Sequence, residues 1–244
     1  MIAGIDHIVI VVPDLTVAAG RFRELGFTVQ PGGVHGGGAS HNALVGFTDG
    51  SYLELFAFLD TTNARNPAWL AALGRGGGVT DLCVRTDNLA TEVARLQAAG
   101  LPYPEPRAMS RHRPDGQTVA WRLSVPPRSP NRWLPFVIED DTPRELRVPS
   151  GPEAVHPNGV TGIARVEVRV ASREAIARDL AVAFDASPHW AEEEDRGQFT
   201  VGPTTLDCAA ASPASTAVLG PFRVTFATPH APTERIVENA HLVL

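Results

Sequence analysis

The chain has 244 residues, 43% of them hydrophobic and 20% charged, with a net charge of −6 and only two cysteines. That is a globular composition with room for one large or two small domains, and its acidic balance gives no electrostatic reason to bind nucleic acid or anionic membrane. The apolar run at 8–12 has no basic segment before it and is too short for a signal core or a membrane span, and Cys83 and Cys208 are too few for a disulfide scaffold, so a cytoplasmic protein with free buried thiols is expected.

The first predicted element is a β-branched strand in "DHIVIVV", starting at Asp6. Asp14 then offers a helix cap, and Leu15, Ala18, Phe22 and Leu25 recur at helical spacing before Gly26, a suitable C′ glycine. Strand-like "FTVQ", "HNALVGF" and "YLELFAF" follow, the last two joined by the turn "TDGS". The connector 60–78 carries a short predicted helix in "PAWLAALG".

The opening pattern then returns. Residues 80–101 align with 6–27 without a gap, so that His7 falls on Asp81, Asp14 on Asn88 and Gly26 on Gly100. Strands are expected around "RAMSRHR", in "TVAWRLSV" and in "LPFVIED". A Pro-rich, charged stretch follows, and a third, weaker copy begins "ARVEVRV" with Arg165 in place of His7. Its strands are expected in "QFTV", "TTLDCAA" and "FRVTFAT". The expected fold class is α+β: tandem βαβββ modules, two paired around a cleft (residues 1–60 and 79–140), a linker (141–158) and a third related module (159–244).

The segments "DHIVIVVPDL", "SHNALV", "DGSYLEL", "RPDGQTVAWRLSVP" and "LPFVIED" span residues 1–140. Together they resemble the glyoxalase-like domain family of the vicinal oxygen chelate superfamily, which includes glyoxalase, bleomycin resistance and extradiol dioxygenase proteins. The resemblance implies that paired modules enclose a cleft. It also implies a divalent metal there, held by side chains from the first and fourth strand of each module. The implied function is a metal-dependent enzyme acting on a small oxygenated organic molecule by isomerase, lyase or dioxygenase chemistry. The alternative is a non-catalytic protein that sequesters a small molecule in the same cleft.

Strand alternation tests which side chains face that cleft. Ile8, Ile10 and Val12 cover the helix, leaving His7, Val9 and Val11 toward the cleft. Leu53, Leu55 and Ala57 match the helix face, so Tyr52, Glu54, Phe56 and Phe58 face inward. His7 is then a metal ligand or a satisfied strand histidine. Glu54, set among aromatics, needs a metal, a hydrogen-bond donor, a raised pKa suited to a catalytic base, or access to water. In module two the counterpart of His7 is Asp81, and Phe136 and Ile138 are read toward the helix, leaving Val137 and Glu139 on the cleft face. The metal set the resemblance implies is therefore His7, Glu54, Asp81 and Glu139, with iron, manganese, nickel or zinc as the ion and Glu54 or Glu139 as the base; Glu139 lies one rung beyond the position matching Glu54, and for Asp81 the plain alternative is a surface acid near the strand entrance.

His41, Tyr52, Phe56, Arg85, His112 and Arg122 are candidate substrate contacts, with Arg111 beside them; for the arginines the plain alternative is a solvated surface. Cys83 reads as a small core residue. The chain has no Gly-x-Ser-x-Gly, Cys-x-x-Cys or His-Glu-x-x-His motif. With no fourth copy expected, the Arg165/Glu167/Arg169 face of the third module is either solvated or paired across a homodimer.

Overall fold

Module one folds as β1 (Ile2–Val11), α1 (Leu15–Glu24), β2 (Gln30–His35), β3 (Ser40–Gly46) and β4 (Tyr52–Phe58). The computed structural model describes residues 1–63, 66–129, 131–190, 196–211 and 217–244. The Asp14 carboxylate accepts the Val17 N–H at 2.9 Å and starts α1; Gly26, at φ 82°, ends it in the left-handed region that favours glycine. Asn66 caps α2 (Pro67–Gly74). Module two repeats the plan as β5 (Gly78–Thr86), α3 (Leu89–Ala98), β6 (Arg107–His112), β7 (Thr118–Ser124) and β8 (Phe136–Asp140).

The two modules close one barrel in the order β1-β4-β3-β2-β6-β7-β8-β5. Within each module the first and last strands run parallel, and β1 and β5 join the modules antiparallel. The alternation then does two jobs. Outward Ile8, Ile10, Leu53, Leu55, Leu82 and Val84 bury against Ala18, Phe22, Leu89, Val93 and Leu96 of the helices. Each large side chain so buried stabilises the fold by roughly 1.5–3 kcal/mol. Inward Val9, Val11, Phe56, Cys83, Val119, Trp121, Phe136 and Ile138 form a separate apolar lining.

Two faces differ from the expectation. On β8, Phe136 and Ile138 point into the barrel, while Val137 joins the helix-side core. The apolar run "LPFVI" has no polar residue to fix its phase, and the charge of Glu139 falsely marked its face as inward. On β7, Trp121 and Leu123 face inward, so Arg122 faces out, where it pairs with Glu139 and Asp141.

The C-terminal part is a seven-stranded sheet in the order β10-β11-β12-β9-β13-β15-β14. Its members are β9 (Gly162–Val170), β10 (His189–Trp190), β11 (Arg196–Val201), β12 (Thr204–Ala210), β13 (Gly220–Ala227), β14 (Glu234–Val237) and β15 (Ala240–Val243). β12 lies parallel to β9 as β4 does to β1, and β13 lies antiparallel to β9 as β5 does to β1. So "FRVTFAT" is the opening strand of a further, shortened module and not the last strand of the third. Its β15 runs parallel to β13, as β8 does to β5. Val166, Val168, Val224 and Leu242 extend the helix-side core of the barrel into this sheet. The other face carries a ladder of ion pairs: Arg165 to Asp207, Asp207 to Arg196, Arg196 to Glu167, Glu167 to Arg223 and Arg223 to Glu234.

The stretch read as a linker is structured too. It holds α4 (Arg144–Arg147) and a 3₁₀ turn (Gly151–Ala154), and it sends Arg147 into the barrel. Among the described residues no helix is long and apolar enough to cross a membrane.

Candidate functional site

The cleft is a cavity of about 370 Å³ inside the barrel, within the usual range for a small-molecule site. One wall is apolar and aromatic: Phe56, Phe58, Trp69, Met109, Trp121 and Phe136. The polar lining is His7, His35, Asn42 and Glu54 of module one, Arg107 and Arg111 of β6, and Arg147.

The centre of that polar lining is Glu54. His7 Nε2 stands 3.5 Å from one carboxylate oxygen and His35 Nε2 3.4 Å from the other. All three side chains are largely buried. Asn42 Nδ2 donates to Glu54 Oε1 at 2.7 Å. The register explains the meeting: His7 sits on β1 beside Tyr52, Glu54 is one rung along β4, and β3 brings Asn42 against Phe56 and Leu44 against Glu54. Gly32 makes room, since a side chain there would collide with the Asn42 amide and the Arg111 guanidinium.

Each donor is held from behind. His7 Nδ1 is 2.7 Å from Asp6 Oδ1, and the ring stacks on Tyr52 with centroids 4.6 Å apart. His35 Nδ1 is 3.0 Å from Ser40 Oγ. Asp6 is fully buried and receives Arg147 Nη1 and Nη2 at 3.0 and 2.9 Å, with Arg144 also donating to it. Arg147 donates further to the Tyr52 hydroxyl at 2.7 Å.

Electrostatics follow from these contacts. Burial opposes ionisation of Glu54, but the hydrogen bond from His35, the charges of His7 and His35 and the Asn42 amide outweigh it, and hold its pKa at about 2. Burial likewise opposes Asp6, and Arg147, His7 and Arg144 together keep its carboxyl well below the usual range. Burial pushes the Tyr52 hydroxyl up.

Two imidazole nitrogens and a carboxylate are donor types that suit a divalent metal. Each imidazole Nε2 lies 3.4–3.5 Å from a different oxygen of Glu54, with the other ring nitrogen tied down, although the three donors do not all come within 4.8 Å of one another. Asn42 Oδ1 is buried without a partner beside them. Two histidines and one carboxylate are the donors of a common iron-type site. A second cluster, Asp6, His7 and Cys83, brings its ligating atoms within 4.8 Å of one another. Asp6, however, is already paired with two arginines, and Cys83 sits in the apolar lining of the barrel, where burial raises its pKa.

The sequence matches the profile of the glyoxalase-like domain family over residues 5–184. The chain belongs to the glyoxalase-like domain family. A hypothetical protein from Staphylococcus aureus shares the fold at 15% identity and a TM-score of 0.79, covering 98% of this chain and 97% of its own. A mutant of 4-hydroxymandelate synthase from Streptomyces coelicolor follows at 16% identity and a TM-score of 0.60, covering 93% of this chain and 71% of its own. A comparison with curated proteins found no match.

In this glyoxalase-like barrel the residues expected from sequence separate. His7, Glu54, Tyr52 and Phe56 meet in the cavity. Asp81 is buried but engaged elsewhere, accepting Trp69 Nε1 at 3.0 Å, the Leu82 N–H at 2.9 Å and a bond from Arg128. Glu139 accepts the Leu89 N–H at 2.9 Å at the start of α3 and pairs with Arg122 outside the barrel. The place of a second acid on β8 belongs to apolar Phe136 and Ile138. His41 lies on the face of β3 opposite Asn42; burial and the neighbouring His35 lower its pKa. His112 is exposed beside Thr118, and Arg85 lies against Gly4 and Gly50. Arg111 does line the cavity, with its guanidinium bound to the Gly32 and Arg147 carbonyls.

Sequence reading missed His35, Asn42, Asp6, Arg147 and Trp69. His35 ends a strand that the glycines around it disguised as loop. The alternation of "SHNALV" was the available signal for Asn42: Ser40, Asn42 and Leu44 all line the cavity.

Proposed function

We propose that the protein is a metal-dependent enzyme in which His7, His35 and Glu54, all from module one, hold a divalent metal beside an aromatic-lined cavity. The substrate is a small organic molecule with neighbouring oxygens and an apolar body. The convergence of two imidazole Nε2 atoms on the Glu54 carboxylate carries this reading. A bound metal would supply Lewis-acid polarisation of the substrate's oxygens and, if redox-active, the electron chemistry of dioxygen.

Oxygen insertion is favoured over proton abstraction by a carboxylate. Glu54, the one acid lining the cavity among the described residues, is engaged by His7, His35 and Asn42, and the β8 rungs facing the cavity are apolar, so no free carboxylate stands ready as a base. The chain's own contributions are then clear. Asp6 fixes the His7 ring so that Nε2 faces the cavity. Ser40 does the same for His35, and Asn42 orients Glu54. Phe56, Trp69, Trp121 and Phe136 hold the apolar body of the substrate and exclude water.

The test is oxygen uptake by iron-loaded protein across a panel of catechols and 2-oxo acids. Uptake by wild type, lost in His35→Ala, is the expected result. Solvent deuterium exchange into a substrate without oxygen uptake would assign isomerase chemistry instead. Tight ligand binding with neither would assign a sequestering protein.

A further inference from the structure

A second cavity, of about 480 Å³, lies between the barrel and the C-terminal sheet. Arg75 at the end of α2, Arg128 and Arg132 before β8, Arg169 on β9 and His241 on β15 line it, and no Asp or Glu does among the described residues. In a chain with net charge −6, a cavity with four guanidinium groups and no acid needs a reason. Asp81 and Asp179, outside the lining, pair with Arg128 and Arg132, while Arg75 and Arg169 have no carboxylate partner among the described residues, so an anion entering the cavity would offset the remaining positive charge.

Three of the four guanidinium groups are held in place, and Arg75 is exposed at the rim. Arg128 donates to the Leu134 carbonyl at 2.5 Å and to Asp81, and lies 5.5 Å over the Trp133 ring. Arg132 donates Nε to Asp179 at 2.8 Å. Arg169 lies 4.2 Å over the Phe222 ring. An arginine has five N–H donors, so each keeps others for a ligand, and the fork geometry suits phosphate. The indole N–H of Trp133, buried at the same wall, has no acceptor. Val218, Leu219 and Phe222 supply an apolar side to the cavity.

We propose that this cavity binds a phosphate-bearing small molecule. Several guanidinium groups around one space favour a dianion over a single carboxylate. The site is one ion pair and one hydrogen bond from the first cavity: Arg128 holds Asp81, and Asp81 holds the indole of Trp69, which packs on Phe56 at 4.8 Å. A phosphate that draws on Arg128 therefore perturbs Trp69.

The experiment is calorimetric titration of the full-length protein with inorganic phosphate and phenyl phosphate at fixed ionic strength, with Trp fluorescence alongside. Saturable binding is expected, with phenyl phosphate tighter and benzoate much weaker. Arg169→Gln and Arg75→Gln should each weaken it by about tenfold, the scale of one lost charge-assisted hydrogen bond, while Arg169→Lys restores part of it. Phosphate should change the emission of wild type, and the change that survives in Trp133→Phe should be lost when Trp69→Phe is added. The proposal is overturned if folded wild type shows no saturable phosphate binding. It is equally overturned if both arginine variants bind as wild type does, or if Arg107→Gln, in the first cavity, abolishes binding instead.

Discussion

Asp6 and His7 are consecutive residues of one strand, yet their side chains are bonded to each other at 2.7 Å inside the barrel. In a regular strand they would point to opposite faces. A β-bulge brings them together: Ile5 pairs with Val84 and His7 with the very next residue in line, Cys83, so Asp6 has no partner in that ladder. Bulges that re-aim a side chain are common beside active sites. Here the bulge places a buried carboxylate between His7 and the guanidinium groups of Arg144 and Arg147.

Removing that carboxylate tests both of its roles. Asp6→Asn leaves Arg147, 3% exposed, with Asp140 as its remaining counter-charge. Urea denaturation should show a loss of roughly 1–3 kcal/mol, the scale of charge-assisted hydrogen bonds lost from a buried group. Metal affinity of the folded fraction should fall about 10–100-fold, as for other groups that orient a metal-bound histidine. A variant as stable as wild type would contradict the burial and pairing described.

Acid should weaken the apo fold through the same groups. The folded pKa of Glu54 is depressed to about 2 and that of Asp6 lies well below its ordinary value. Groups shifted down stabilise the fold above their unfolded pKa and lose that contribution as pH falls through the folded one. The stability advantage of wild type over Glu54→Gln should therefore hold near neutral pH and shrink between about pH 4.5 and pH 2. An advantage that stays constant across that range in denaturation curves would show that Glu54 is not held ionised.

Glu139 separates a structural acid from a ligand. It accepts the Leu89 N–H, one of the donors left open at the start of α3. Glu139→Ala should cost about 0.5–2 kcal/mol, as other helix-end acceptors do, and leave metal content unchanged. Thermal melts with elemental analysis of the same samples check both halves, and a loss of metal would return Glu139 to the site.

Much of the barrel was legible because two signals agree in each module. β-branched strands, capped helices and C′ glycines repeat at matching positions, and alternation put His7 and Glu54 on one face. The rest depended on relations that one sequence does not carry. The bulge at Asp6 breaks the alternation without any Gly or Pro to announce it. Phe136 and Ile138 sit in a run apolar on both faces, so one charged neighbour set the phase wrongly. Arg147 arrives from a segment rich in charge and proline, whose docking into the barrel is a long-range event. The shortened last module was hidden because it lacks the helix that made the other copies visible.

The most direct test of a metal site built from one module is a cobalt(II) titration followed by its visible spectrum, on wild type and on His7→Ala, His35→Ala, Glu54→Gln, Asp81→Asn and Glu139→Gln. Wild type, Asp81→Asn and Glu139→Gln should bind a single equivalent saturably, and the first three variants should not. Retention of binding in His35→Ala, together with its loss in Asp81→Asn or Glu139→Gln, would contradict the assignment and restore a site shared between the two modules.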